Sequence, residues 1–209
     1  MSSSASEPPL LRERALWAEG FRWIAGVDEV GRGPLAGPVF AAAVILAPGM
    51  VIEGADDSKR LKPIVRERLS LEILERAEAV GIGAASVREI ERYNILHATT
   101  RAMQRALAHL RIQPDRVLVD GLPVRGLGID HEAVVGGDGC VHCIACASIV
   151  AKVCRDGLMR RLARRYPEYL WERNMGYGTG AHREALRRCG PTAHHRRTFA
   201  GVQVDLELS

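Results

Sequence analysis

The chain has 209 residues, of which 47% are hydrophobic and 26% charged, so it holds enough apolar material for one soluble globular domain with an appendage. Its densest apolar run, 39–47, is too short to cross a bilayer, and the N-terminus "MSSSASEPPLLRERALW" lacks the continuous apolar stretch of a signal peptide. We therefore expect a cytoplasmic protein that does not associate with a membrane.

Positive charge is concentrated in the C-terminal third of the chain. Residues 155–197 contain 11 Arg and no Lys against four acidic residues, a net charge of +7. Because the whole chain carries +4, the remainder carries −3. A basic region beside an acidic one suggests a polyanionic partner, but a solvated arginine-rich helical surface explains the same composition equally well.

Strand patterns and helix patterns alternate along most of the chain. A continuous apolar run predicts a strand buried on both faces, and apolar residues every three or four positions predict an amphipathic helix. The predicted elements are strands 22–29 and 38–46, a helix beginning at Pro63, strand 80–87, helix 88–110, strands 116–121 and 132–139, and a helix over about 143–165. This order predicts an α/β fold with a mixed sheet flanked by helices.

The same patterns suggest three parts of the chain. Residues 1–21 are expected to form a flexible N-terminal segment that leads into a short helix. Residues 22–165 form the predicted α/β domain. Residues 166–209, with a loop, a helix and a second loop, form a predicted C-terminal helical extension and tail.

Acidic residues end three of the predicted strands. Asp28 and Glu29 end "IAGVDE", Asp120 ends "VLVD" and Asp138 ends "VVGGD". Ligand sites gather at strand ends in α/β sheets, and converging carboxylates repel one another unless cations balance them. Mg²⁺ and Mn²⁺ prefer such oxygen ligands, and two such ions can promote in-line attack on a phosphodiester. Each acid alone is better explained as the start of a turn, but the set favours a metal site.

The adjacency of Asp28 and Glu29 constrains this site. Neighbouring side chains in a strand face opposite ways, so both bind one ion only if the strand stops between them or if one contributes its backbone carbonyl. The glycines that follow favour a stop. The loop Gly31-Arg32-Gly33 can cradle a phosphate through its backbone N–H groups, although the bare pattern is weak.

Cysteine spacing raises a different kind of metal site. Two residues separate Cys140 from Cys143, and two separate Cys143 from Cys146, as in iron–sulfur and zinc sites. The fourth cysteine of an iron–sulfur pattern would fall at position 150, which is Val150. The small apolar residues around them favour a buried helix instead. The odd number of cysteines also argues against disulfides.

Several motifs, in the same order along the chain, resemble those of the type 2 ribonucleases H, specifically bacterial ribonuclease HII. The resemblance covers about residues 22–200. The motifs are "GVDEVGRGPLAGPV" (26–39), "DSKRL" (57–61), "YNILHATTRAMQRAL" (93–107), "VLVDG", "GGD", "ASIVAKVCRD" (147–156), "GYGT" (176–179) and "HHRRTF" (194–199).

The resemblance implies a ribonuclease H-like fold with a helical C-terminal extension. It also implies a monomeric endoribonuclease, dependent on Mg²⁺ or Mn²⁺, that cleaves the RNA strand of RNA–DNA hybrids. Such enzymes also cut 5′ to a single ribonucleotide in duplex DNA, in repair and replication, and leave 3′-hydroxyl and 5′-phosphate ends. Binding of a replication clamp by the tail "GVQVDLELS" is left open.

The resemblance also assigns roles to residues. The carboxylates that it makes catalytic and metal-binding are Asp28, Glu29, Asp120 and Asp138. The residues that it places against the substrate are Gly31, Arg32 and Gly33 at the ribose 2′-hydroxyl, Lys59 at a phosphate, and Tyr177 against a sugar.

The chain departs from the family at positions where a basic or polar residue is usual, namely Gly136, Gly139 and Met175. We interpret Asp156 as an ion-pair partner of Lys152 rather than a metal ligand. The spacing of His182, His194 and His195 does not fit a metal site. We interpret His194 and His195 as packing or phosphate contacts. Two alternatives remain open, namely another metal-dependent phosphoryl-transfer enzyme and a non-catalytic nucleic-acid-binding module of the same fold.

Overall fold

A computed structural model of the chain describes residues 10–202. Five strands form one sheet in the order β3-β2-β1-β4-β5. The strands are β1 (Ile24–Val30), β2 (Val39–Ile45), β3 (Ala79–Ala85), β4 (Arg116–Asp120) and β5 (Glu132–Val134). Strand β2 is antiparallel to β1 and to β3, whereas β4 is parallel to β1 and to β5. The predicted mixed sheet is therefore confirmed.

Helices cover both faces of the sheet. Helix α3 packs on one face, and α2 and α4 pack on the other. The helices are α1 (Leu11–Ala18), α2 (Pro63–Arg76), α3 (Val87–Ala108), α4 (His142–Arg165), α5 (Trp171–Asn174) and α6 (Gly180–Cys189). None of the helices within residues 10–202 is long and apolar enough to cross a membrane.

Small residues on the strands allow these helices to lie very close to the sheet. A Cβ atom added to Gly26 on β1 would lie 2.2 Å from the backbone carbon of Cys143, at the start of α4. Only glycine permits this approach, which sets the first turn of α4 directly over β1. The same strand continues into Asp28, so this packing fixes α4 beside the predicted carboxylates.

One predicted element was wrong in its extent, and another contains an interruption that was not predicted. The predicted strand 132–139 ends at Val134, because Gly136 has a left-handed backbone (φ 70°) and Gly137–Gly139 then form a 3₁₀ turn. The predicted helix 88–110 is interrupted at Asn94, whose φ is 69°. Asn94 tolerates this conformation because its side-chain oxygen accepts hydrogen bonds from the amides of Leu96 and His97.

The short helix expected in the N-terminal segment is present as α1, and it packs firmly on the domain. Helix α1 packs on the domain through Leu16, which joins a buried cluster with Ile24 and Leu118. Glu13 is 2% exposed, and its Oε1 accepts the amide hydrogen of Cys143 at 2.9 Å. Because no side chain of α4 itself caps this end, Glu13 supplies the cap from another helix.

The C-terminal extension packs on the second half of α4. Trp171 and Tyr169 stack on each other and form a buried cluster with Met159 of α4 and Leu35. The extension therefore rests on the loop between β1 and β2 as well as on α4. The boundaries of the three predicted parts stay a prediction, and the tail 203–209 lies outside the described residues.

Candidate active site

Asp28 and Asp120 are neighbours on adjacent parallel strands. Val27 of β1 pairs with Val119 of β4, so the next position in this register places Asp28 beside Asp120. Adjacent strands lie about 5 Å apart, and both side chains face α4 because alternate residues share one face of a sheet. The register brings together two of the four predicted carboxylates.

Asp138 joins this pair from the turn after β5. Its amide donates a hydrogen bond to Asp120 Oδ1 at 3.3 Å. Lys59 Nζ lies 3.2 Å from Asp138 Oδ2, although the Lys59 side chain is 74% exposed. A solvent-accessible ammonium group therefore balances one carboxylate at the rim of the cluster. This location suits a group that also meets a substrate phosphate.

Glu29 lies on the other face of β1. The strand does not stop between the two acids, because Asp28, Glu29 and Val30 all pair in register with β2. The expected break in the strand is therefore wrong, and a backbone carbonyl remains the route by which both residues contact one ion. The Glu29 side chain forms an ion pair with Arg32, with Nη1 and Oε1 3.2 Å apart.

The carboxylates are held together against their own repulsion. Burial raises the pKa of Asp28 well above its ordinary value, and the charges of Glu29 and Asp120 raise it further. Burial also raises the pKa of Glu29, against the opposing effect of Arg32. Burial likewise raises the pKa of Asp138, with Lys59 opposing the shift and Asp120 adding to it. Such shifts mark a site that gains from a bound cation.

The chemistry of these donors fits Mg²⁺ or Mn²⁺, which are hard ions with a preference for carboxylate oxygen. Within residues 10–202, no group of three or more His, Cys, Asp or Glu side chains lies close enough together to hold a metal ion. These side chains would therefore have to move closer together to hold an ion.

Sequence reasoning missed two serines next to Asp28. The side chain of Ser148, on α4, interacts with the Asp28 carboxylate and opposes the rise of its pKa. Ser148 Oγ lies 2.9 Å from Ser58 Oγ, and both serines are buried. The motifs "DSKRL" and "ASIVAK" contain these residues, but their spacing along the chain gives no sign that they meet.

The Gly31–Gly33 loop follows directly from β1 and lies beside Tyr177. A Cβ atom added to Gly33 would lie 3.8 Å from Cε1 of the Tyr177 ring, which is 43% exposed. The amides of Leu35 and Ala36 donate to the carbonyl of Gly176 at 2.8 and 3.3 Å. The two predicted substrate-facing segments, far apart in sequence, are thus joined by main-chain hydrogen bonds.

The structure also shows the surroundings of the residues that were not assigned to the active site. Lys152 Nζ contacts Asp156 Oδ1 at 2.9 Å, so the predicted ion pair is confirmed. His182 and His195 are buried among Tyr169 and Trp171, which agrees with a packing role. His194 and Met175 belong to the same cluster of aromatic and apolar side chains.

The cysteines are part of the packing. Cys143 and Cys146 are buried on α4, and burial raises the pKa of both thiols, which keeps them protonated. Metal ligation requires thiolates. Since the described chain also holds no cluster of metal-ligating side chains, a cysteine-bound metal centre is not supported.

Comparison with known proteins extends this picture. A family model described as Ribonuclease HII matches residues 25–202. The chain belongs to the ribonuclease HII family. The Ribonuclease HII of Ruegeria pomeroyi is 54% identical to it over 206 residues, which cover 98% of this chain and 88% of that protein. Membership makes the chain a ribonuclease H, a metal-dependent hydrolase that acts on RNA in RNA–DNA hybrids.

Solved structures show the same architecture. The crystal structure of the ribonuclease H2 from Pyrococcus horikoshii has a TM-score of 0.73 and 27% identity, and covers 86% of this chain and 95% of its own. The crystal structure of Bst-RNase HIII in complex with Mn²⁺ has a TM-score of 0.71 and covers 96% of this chain and 73% of its own. At 18% identity, the latter shows a shared fold.

Proposed function

We propose that this ribonuclease H cuts on the 5′ side of single ribonucleotides embedded in duplex DNA as well as within RNA–DNA hybrids. The observation that carries the proposal is the direct passage of β1 from Asp28 and Glu29 into Gly31–Gly33, beside Tyr177. A group that binds the scissile phosphate and a group that inspects the adjacent sugar are thereby fixed to one strand. This arrangement suits recognition of one ribose within a DNA strand.

The bond changes in this proposal balance simply. A water oxygen bonds to phosphorus and loses a proton, while the bond between phosphorus and the 3′ oxygen of the upstream nucleotide breaks and that oxygen gains a proton. The upstream strand then ends in a 3′-hydroxyl, and the ribonucleotide keeps a 5′-phosphate. Bound Mg²⁺ or Mn²⁺ would supply an activated water and stabilise the leaving oxygen.

The residues of the chain position the reactants. The carboxylates proposed to hold the ions are Asp28, Glu29, Asp120 and Asp138. The backbone of Gly31, Arg32 and Gly33 contacts the 2′-hydroxyl. Lys59 binds a phosphate near Asp138, and the exposed ring of Tyr177 packs against the neighbouring sugar.

Charge and known relatives support the remaining parts of the proposal. The +7 net charge of residues 155–197 suits a duplex-binding surface, and the known complex of Bst-RNase HIII with Mn²⁺ supports Mn²⁺ as a cofactor. We also propose that the enzyme acts in repair and replication, that it is monomeric and that it is located in the cytoplasm. Binding of a replication clamp by the tail "GVQVDLELS" belongs to the same proposal.

The test is cleavage of a labelled DNA duplex that carries one ribonucleotide, with Mg²⁺, with Mn²⁺ and with chelator. An all-DNA duplex is the substrate control, and the Asp120→Asn variant is the protein control. We expect one cut, 5′ to the ribonucleotide, that needs metal and nearly disappears in the variant. Cleavage of hybrids without any cut at the lone ribonucleotide would contradict the proposal.

A further inference from the structure

Arg196, in the C-terminal extension, is a buried arginine whose guanidinium lies over the Phe199 ring, 5.0 Å from its centroid, and donates all of its hydrogen bonds to backbone carbonyls. Its exposed fraction is 0%, and the part of the chain that the structure describes places no acidic side chain within ion-pairing distance. Its guanidinium donates to the carbonyl of Gly31 at 2.6 Å, of Arg32 at 2.8 Å and of Gly37 at 2.8 and 2.9 Å. A buried cation is costly, so such an arrangement indicates a specific role for its geometry.

These contacts fix the direction of two peptide units. In a trans peptide the C=O and N–H bonds point opposite ways. Because Arg196 holds the carbonyls of Gly31 and Arg32, the amides of Arg32 and Gly33 point away from it. Between residues 10 and 202 neither amide has a hydrogen-bond acceptor. Two neighbouring, unpaired N–H groups on one side of a loop form a site for an oxygen acceptor.

A second buried arginine holds a different part of the loop. Arg155 donates to the carbonyls of Ala36, Pro38 and Met175 at 2.9 to 3.1 Å. It thus ties the far end of the loop to the segment before Tyr177. Arg155 also packs against Gly31, but within residues 10–202 the carbonyls of Gly31 and Arg32 accept hydrogen bonds from Arg196 alone.

We propose that Arg196 is a positioning residue that orients the Arg32 and Gly33 amides toward the ribose 2′-hydroxyl; the inference rests on the function proposed above. Arginine suits this task because its rigid, planar fork reaches several carbonyls at once, and its delocalised charge is less strongly hydrated than an ammonium. Lysine keeps the charge, but its donors sit on one nitrogen at the end of a flexible stem, whereas Arg196 uses three nitrogens in a rigid fork. The pair of variants Arg196→Lys and Arg196→Met therefore separates charge from geometry.

The first readout is the loop itself. We would record the backbone amide NMR signals of wild type, Arg196→Lys, Arg196→Met and the control Arg197→Met, which removes an exposed arginine next in sequence. The signals of Arg32 and Gly33 should shift or broaden in both Arg196 variants and stay unchanged in the control. The signals of Val117 and Val119, in the sheet, should stay in place in all four proteins.

The second measurement is the preference of the protein for a duplex with one ribonucleotide over an all-DNA duplex. We would measure Kd, with Ca²⁺ in place of the catalytic ion, for a duplex with one ribonucleotide and for the matched all-DNA duplex. Wild type should prefer the ribonucleotide, and both Arg196 variants should lose about tenfold of that preference, the upper end of the range for a lost hydrogen bond between neutral groups. Affinity for the all-DNA duplex should change little.

Each outcome decides the inference. Unchanged preference in Arg196→Lys and Arg196→Met overturns it, and so does an equal loss of affinity for both duplexes, which indicates a merely structural role. If Arg196→Met does not fold, Arg196→Lys gives the answer. If wild type itself shows no preference, the proposed function fails and the 2′-hydroxyl role fails with it, whereas the amide signals still report whether Arg196 holds the loop.

Discussion

The Nε2 atoms of His182 and His195 lie 3.0 Å apart, and both rings are buried. Nδ1 of His195 accepts the amide hydrogen of Thr192, so its proton is on Nε2 and points at Nε2 of His182, which also accepts the indole hydrogen of Trp171 at 3.1 Å. His182 in turn uses Nδ1–H to donate to the carbonyl of Tyr177. A chain of two neutral imidazoles therefore connects the last loop of the extension to the backbone of the exposed tyrosine.

This pair predicts a loss of stability in mild acid. Burial lowers the pKa of both imidazoles, that of His195 to about 3. The unfolded chain then binds more protons than the folded chain below pH 6.5, so the free energy of unfolding falls as the pH falls toward 3. The slope reaches about 1.4 kcal/mol per pH unit for each such histidine.

Urea unfolding of wild type and His195→Phe between pH 7.5 and 5 measures this slope. The variant should show a shallower dependence than wild type, and His97→Gln, which changes an exposed histidine, should match wild type. The buried carboxylates contribute equally to the slopes of wild type and variant, so their contribution cancels when the two slopes are subtracted. Their raised pKa values make the free energy of unfolding rise as the pH falls, opposite to the effect of the histidines. Equal slopes in all three proteins would mean that His195 has the same pKa in the folded and the unfolded chain, which would contradict the prediction.

Asp28→Asn should remove cleavage while it raises the melting temperature of the metal-free protein. Asp28 is 5% exposed beside Glu29 and Asp120, so the substitution removes a buried charge from a repulsive cluster and keeps its shape. Mn²⁺ should raise the melting temperature of wild type and have a smaller effect on the variant. Thermal unfolding with and without Mn²⁺ is the measurement. Lower stability of the metal-free variant would contradict the repulsion argument.

Tyr177→Ala should lower cleavage at a single ribonucleotide about tenfold or more while stability changes by less than about 0.5 kcal/mol. The ring is 43% exposed, so little burial is lost, whereas loss of stacking on a substrate costs roughly 1–3 kcal/mol. Tyr177→Phe is the matched control and should retain most activity. A parallel loss of activity and stability would make the tyrosine a structural residue.

Glu13→Ala should destabilise the fold by about 1–3 kcal/mol, because the buried amide of Cys143 loses its acceptor at the start of α4. Glu13→Gln should cost less, since an amide oxygen still accepts this hydrogen bond. Chemical denaturation measures both, and Glu19→Ala, at an exposed position just after α1, is the control. An effect no larger than that of Glu19→Ala would show that the cap is replaced by water.

Duplex binding should weaken steeply with salt, because the basic third of the chain is expected to neutralise several phosphates. Arg183 donates to the carbonyl of Gly178, which places it near Tyr177 and the proposed path of the duplex. Arg183→Gln removes one cation there, so the slope of log affinity against log salt concentration should become shallower by about one. Arg68→Gln, on α2, should leave the slope unchanged. Affinity that does not depend on salt would exclude the basic third as a duplex-binding surface.

Much of the fold could be predicted from local patterns. Apolar runs of strand length gave β1 to β4 to within about two residues, because burial on both faces of a sheet leaves a continuous signal in the sequence. The strand ahead of Asp138 was predicted too long, because Val135 and its neighbours look like strand residues. The left-handed turn at Gly136 that ends the strand has no periodic signal.

The sequence by itself determined that Asp28, Glu29, Asp120 and Asp138 stand at the ends of apolar runs, and that the motifs are those of one family. The tertiary structure alone decided how these residues are held: the pairing of Glu29 with Arg32, the contact of Ser148 with Asp28, and the contact of Arg196 with the carbonyl of Gly31, 165 residues away. Periodicity reports only which face of an element is buried. Contacts between polar groups on distant segments depend on how the elements pack, and no local pattern encodes them.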